Sequence, residues 1–319
     1  MYALKSLKIG YGRQILSTLT DVTVGPGEFI CLLGRNGQGK STLLRTLAGS
    51  SSRGGGAVNL DGRAGRDWTA AERARKVAVV LTDRPQVGAL KVSELVEMGR
   101  QPYTGWSGAL TAEDRRIATE ALAQVEGDHL RDRYIDSLSD GERQRVMIAR
   151  ALAQQPRVML LDEITAFLDL PSRVTIVSTL RRIAHEAGVS IILSSHDLEL
   201  SLNAADRLWL LPGDGRFVDG APEDVALSGA LGEAFDQDNL VFSLETGRFE
   251  TRSASWGKVL VEGEGVTRIW LGRALERLGY RLSDVSDDVE LVVTGRSEGF
   301  VLNGVAHATI RALATTLRG

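Results

Sequence analysis

The chain has 319 residues, enough for one large α/β domain and a small one, each with its own core. Hydrophobic residues make up 43% and charged residues 25%, which excludes a disordered chain, and the formal net charge of -3 argues against a nucleic-acid partner. No apolar run approaches the roughly 18 residues of a membrane span, so any membrane role is expected to act through a partner protein. The N-terminal stretch lacks a cleavable signal, and the single Cys31 cannot form an internal disulfide, so a reducing compartment is expected and Cys31 is read as core.

In chain order, short β segments surround one strand-loop-helix unit, with Phe29–Leu33 the buried strand and Ser41–Ala48 the helix. Residues 50–56 (SSSRGGG) read as a turn, and Val58–Leu60 with Asp61-Gly62 as a hairpin strand and its turn. From Glu94 to Gln155 apolar residues recur at helical spacing, broken at Tyr103–Gly108. Val158–Leu161 and Ser190–Leu193 are β-rich runs separated by a helix from near Pro171, the rhythm of a parallel sheet. Such a sheet presents its ligand site at the carboxyl ends of its strands. Beyond about Phe249 the composition resets. Lys258–Glu262, a helix over Thr267–Leu278, Val289–Thr294, Gly299–Leu302 and a helix from Ala308 predict a β-α-β-β-α module. Its helices are expected to bury Trp270, Ala274, Leu275 and Leu278, and Ile310, Leu313 and Leu317.

Gly34-Arg35-Asn36-Gly37-Gln38-Gly39-Lys40-Ser41 fits G-x-x-x-x-G-K-[ST] between a buried strand and a helix, the context this phosphate-binding loop needs. Its glycines let backbone N–H groups curl round an anion, Lys40 reaches the terminal phosphates, and the Ser41 hydroxyl is a hard ligand for Mg²⁺. The strand Val158–Leu161 ends in Asp162-Glu163, a metal ligand followed by a candidate general base. Ser139 and Glu142 form a capping box at a helix start that also offers an anion site. It lies about 100 residues after the first loop, so sharing one phosphate within the chain is difficult and an arrangement in trans is more economical. His196 follows Ser194-Ser195 at a strand end, where γ-phosphate chemistry is expected.

The phosphate loop, LSDGERQRV (138–146), LLDEITAFLD (160–169) and SSHD (194–197), in this order, resemble the ATP-binding subunits of ABC transporters over residues 1 to about 240. The resemblance implies a P-loop NTPase of RecA-like core with an antiparallel β subdomain and a helical subdomain at about 90–155, spanning 1–250, plus a small α/β domain at 253–319. It implies ATP contacts from Tyr11, as the adenine-stacking aromatic, and from Gly34 to Thr42. Glu163 and His196 are then catalytic, Ser41 and Asp162 hold Mg²⁺, and Ser139, Asp140, Gly141 and Glu142 close over the partner's ATP. Asp169 lies at the dimer interface of a head-to-tail homodimer.

Where relatives carry a Mg²⁺-linking Gln after the hairpin strand, this chain has Thr82-Asp83-Arg84-Pro85-Gln86; Asp83 is expected to serve, with Gln86 the alternative. Asp140 stands where many relatives have Gly, and Ile164 where Pro is usual. Residues 90–103, together with LSDGERQRVMIARALAQ (138–154), resemble the siderophore, haem and cobalamin importer branch, which implies a multispanning permease partner docked near Arg100–Gly108, with Tyr103 and Trp106 as groove aromatics or, for both, simple core packing. An extracytoplasmic solute-binding protein is then an indirect partner, and the location is peripheral, at the cytoplasmic face of the membrane. The other readings are a soluble ABC ATPase outside transport, and a transporter subunit for an unrelated substrate. The role of residues 253–319 stays open between dimer stabilisation, regulation by a small ligand and structural support.

Overall fold

The computed structural model describes residues 2–11, 14–49, 56–81, 89–237, 240–251, 256–283, 289–296 and 299–318. Residues 50–55 of the expected turn at 50–56 therefore lie outside the described residues, as do Asp83, Gln86 and the side chain of Tyr11. The chain divides into two compact units, 1–237 with 241–249, and 238–240 with 250–319.

In the first unit the sheet that matters runs in the order Val218–Gly220, Arg207–Leu211, Phe29–Gly34, Ser190–Ser194, Val158–Asp162, Val77–Val80. All its neighbours are parallel except the first pair. The strands Phe29–Gly34, Val158–Asp162 and Ser190–Ser194 are buried along their whole length, because a parallel sheet is covered on both faces. Period-two alternation splits each strand between two cores: Phe29, Cys31 and Leu33 face one, Ile30 and Leu32 the other. Burial pushes the Cys31 thiol up to about 12, which makes it inert packing. An antiparallel sheet, Val22–Val24, Tyr2–Lys5, Ala57–Leu60 and Arg63–Ala64, and the hairpin Leu7–Tyr11 with Gln14–Leu19 form the β subdomain.

The helical stretch contains Val92–Glu97, a 3₁₀ segment Met98–Tyr103, Ala112–Gln124 and Asp140–Ala153. A buried knot holds it together: the Arg100 guanidinium bonds Asp114 Oδ1 at 2.9 Å, Ala153 O at 2.8 Å and Gln155 Oε1 at 3.0 Å. Tyr103 belongs to this knot. Its ring lies 3.9 Å from the Arg100 guanidinium and 5.2 Å from that of Arg75, and its hydroxyl donates to Gln154 O at 3.0 Å. Trp106, by contrast, is fully exposed.

The second unit carries a sheet in the order Arg281–Ser283, Lys258–Glu262, Leu291–Arg296, Gly299–Leu302, Val305–His307, with helices Gly265–Arg277 and Ile310–Arg318. Two strands were missing from the expected β-α-β-β-α order. Arg281–Ser283 is a short edge, too brief to show alternation, whereas Val305–His307 pairs back across Asn303-Gly304, both with positive φ (48° and 87°). That dipeptide is a strong hairpin signal and could have been used. Trp270 also departs from expectation: the helix buries Leu271, Ala274 and Leu275, while Trp270, about 100° round the helix from Leu271, is 57% exposed under the Arg273 guanidinium.

Candidate functional site

The strand Phe29–Gly34 delivers the phosphate loop to the carboxyl edge of the sheet. Gly37 and Gly39 have φ of 83° and 98°, in the left-handed region that lets consecutive N–H groups converge ahead of the helix Lys40–Leu47. Lys40 is buried at the helix start, with Nζ donating to Gly34 O at 2.8 Å and lying 3.9 Å from Glu163 Oε1. Burial lowers its pKa, and the Glu163 and Asp162 carboxylates oppose that shift. One residue further along than Ser41, Thr42 Oγ1 is buried without a hydrogen-bond partner. A buried hydroxyl left unpaired beside an anion-binding loop is suited to a phosphate oxygen.

Asp162 ends the strand Val158–Asp162 directly opposite Ser194, its register partner on the next strand. The Ser194 hydroxyl donates to Asp162 Oδ1 at 2.6 Å and accepts from the Glu163 N–H at 2.9 Å. Glu163 has φ of 49°, a strained value for a residue with a Cβ, and this turn aims its carboxylate across the strand ends. There His196 Nε2 meets Glu163 Oε1 at 2.6 Å. A cavity of about 820 Å³ opens over these groups, lined among others by Asn36, Glu163, Arg173, His196, Phe235 and Phe249.

Ser139 caps the helix Asp140–Ala153 as expected: its hydroxyl accepts from Glu142 N–H at 3.3 Å, and Glu142 Oε2 accepts from Ser139 N–H at 2.8 Å. Those bonds and the Arg133 guanidinium hold the Glu142 carboxyl below its usual range. Ser139, Asp140, Gly141 and Glu142 do not line the cavity; a Cβ on Gly141 would sit 3.2 Å from Ser172 Oγ instead. Asp169 caps the helix Leu170–Ala187 through Ser172 N–H at 3.2 Å, and Phe167 and Leu170 beside it are exposed. Thus Gly34, Arg35, Asn36, Glu163 and His196 converge on the cavity, with Lys40 beside Glu163, while the 139–142 turn and Asp169 stand outside it. Sequence reasoning missed Ser194 and Arg173. Ser194 stood in the SSHD motif, but its bond to Asp162 depends on strand register; Arg173 carried no local signal.

Among the described residues no helix is long and apolar enough to cross a membrane. The family model described as ABC transporter matches residues 19–166, and that described as Iron ABC transporter C-terminal domain matches 257–318. An uncharacterized ABC transporter ATP-binding protein of Methanocaldococcus jannaschii is 37% identical over 253 residues, 79% of this chain and 87% of that protein. A hemin import ATP-binding protein of Gloeobacter violaceus is 40% identical over 248 residues, 75% of this chain and 89% of that protein. A solved metal-chelate type ABC transporter in an inward-facing conformation aligns with a TM-score of 0.64 at 25% identity, covering 78% of this chain and 95% of its own. The chain therefore belongs to the ABC transporter family, as one of its ATP-binding, ATP-hydrolysing subunits.

Proposed function

We propose that this chain hydrolyses MgATP between two head-to-tail copies of itself and thereby drives a membrane importer for iron chelates. The observation that carries the catalytic part is the meeting of Glu163 with His196 at 2.6 Å and with Lys40 Nζ at 3.9 Å, at the mouth of a cavity over the phosphate loop. Residues Gly34 to Thr42 hold the phosphates, and the unpaired Thr42 hydroxyl fits an added oxygen acceptor. Ser41 and Asp162 offer hard oxygen ligands that fit Mg²⁺, which when bound neutralises phosphate charge. Asp83, with Gln86 as the alternative, is the Mg²⁺-linking residue in this reading, and Tyr11 stacks on the adenine. Glu163 accepts a proton from the attacking water, and His196 contacts the γ-phosphate and orients Glu163. Ser139, Asp140, Gly141 and Glu142 serve the partner copy's ATP. Their position outside their own chain's cavity supports a site completed in trans, as do exposed Phe167 and Leu170 beside Asp169.

A multispanning permease is the membrane partner, and an extracytoplasmic solute-binding protein its indirect companion. The chain then lies peripherally at the cytoplasmic face. Trp106 suits the permease contact because its ring is exposed, whereas Tyr103 is committed to the Arg100 knot. The iron-chelate substrate rests on the match of residues 257–318 and on relatives such as the hemin import protein.

Glu163→Gln is expected to keep ATP binding and to lower turnover by about 10²- to 10⁴-fold, the usual contribution of a general base. Near-normal turnover would remove Glu163 from the mechanism. Mass spectrometry of the tagged chain purified from native membranes should find a multispanning permease with it. A chain recovered without any membrane partner would leave the ATPase standing and move the reading to a soluble ABC ATPase.

A further inference from the structure

We propose that Arg173 is a positioning residue that ties the loop bearing Asp169 to the turn bearing His196, so that a displacement of the first reaches the hydrolytic groups. It sits in the first turn of the helix Leu170–Ala187, its N–H bonded to Asp169 O at 3.0 Å. Its guanidinium faces two ways. Nε donates to Leu168 O at 2.8 Å, within the loop that follows Glu163, and Nη1 lies 3.5 Å from Asp197 Oδ2. Asp197 is the residue after His196, and its position is fixed by two further bonds. Oδ1 caps the helix Leu198–Ala204 through Leu200 N–H at 3.0 Å, and its own N–H donates to Ser195 Oγ at 3.0 Å.

Together these contacts close a ring through the catalytic cavity. From Glu163 the chain runs along residues 164–168 to Arg173, across to Asp197, back one residue to His196, and through the 2.6 Å contact to Glu163 again. A guanidinium is suited to this task because its donors form one rigid planar fork, which a lysine ammonium lacks. The Arg173–Asp197 pair is about one third exposed on the arginine side, so it contributes little to stability as an ion pair. Its contribution is geometric. Misplacing a reacting group by about 1 Å can cost on the order of 10²-fold in rate.

This inference rests on the ATPase reading of Glu163 and His196, so the test runs beside the Glu163→Gln variant. Steady-state ATPase kinetics and ATP affinity are measured for Arg173→Ala, Arg173→Lys, Asp197→Asn and the double variant Arg173→Ala/Asp197→Asn. Asn caps a helix about as well as Asp, so Asp197→Asn removes the charge and keeps the cap. The expected result is a kcat about tenfold lower in each single variant with KM for ATP within about twofold, and a double variant no slower than Arg173→Ala. Failure of Arg173→Lys to restore the rate is expected, because it keeps the charge but not the fork. The proposal is overturned if Arg173→Ala keeps wild-type kcat, if the losses multiply in the double variant, or if the change appears in KM alone. If Glu163→Gln itself keeps wild-type turnover, the underlying reading fails rather than the role of Arg173 alone.

Discussion

At the scale of single residues, the site concentrates backbone and electrostatic cost where the chemistry is expected. Glu163 holds φ at 49°, a conformation that costs on the order of 1–3 kcal/mol and persists only when its surroundings impose it. The Ser194 hydroxyl imposes it from the neighbouring strand by accepting the Glu163 N–H. A different balance operates at Asp114. The Thr111 hydroxyl and N–H, and then the Arg100 guanidinium, hold its carboxyl down to about 2. Because its folded pKa lies below the unfolded value near 3.8, Asp114 contributes stability that is fully present above about pH 5 and lost as pH falls through about 4 towards 2. Asp114→Asn is therefore expected to lower the urea midpoint at pH 7, and the gap from wild type should narrow steadily as pH falls from about 5 towards 3. A gap independent of pH would mean that the Asp114 charge does not contribute.

At the scale of elements, the helices were the most legible part and the short strands the least. The S-x-x-E pattern at Ser139 marked a helix start that the structure has at that residue, since a cap is a local bond between residues three apart. Helix contacts leave a fainter trace. Gly99 lies against the helix Asp140–Ala153 so closely that a Cβ would meet Arg150 O at 2.2 Å and Ala153 Cβ at 2.9 Å. Backbone carbonyls cannot swing aside as side chains do, so Gly99→Ala forces the two segments apart. It is expected to destabilise by about 1–3 kcal/mol, as overpacking of a core does. Thermal unfolding measures it, and an unchanged midpoint would show that the contact yields freely. In the second unit the strand Val305–His307 was missed because three residues carry too little alternation, although Asn303-Gly304 marked its turn.

At the scale of the whole molecule, the division of the chain falls within a hairpin, of which residues 241–249 belong to the ATPase unit. Its strands, Leu240–Ser243 and Arg248–Thr251, carry Phe242 and Phe249, stacked edge-on 5.4 Å apart, and Phe249 meets Phe235 at 5.9 Å. Phe235 and Phe249 also line the cavity that holds Glu163 and His196. A chain ending at residue 251 is therefore expected to keep ATP hydrolysis and the thermal midpoint of this unit. One ending at residue 237 loses Phe242 and Phe249 and should be destabilised by about 3–5 kcal/mol, the usual loss for a buried phenylalanine. Calorimetry of the two truncations checks this; equal midpoints would place the hairpin outside the folding unit.

By itself the sequence determined the phosphate loop, the Asp162-Glu163 strand end and the cap at Ser139. Each is a bond pattern among residues close along the chain, legible as spacing alone. Only the tertiary structure decided that Ser194 joins Asp162 to Glu163, that Arg173 bridges Leu168 and Asp197, and that Tyr103 stacks on Arg100 while Trp106 stays fully exposed. Those outcomes depend on strand register and on the approach of elements up to some fifty residues apart, where local spacing carries no record of which side chains meet.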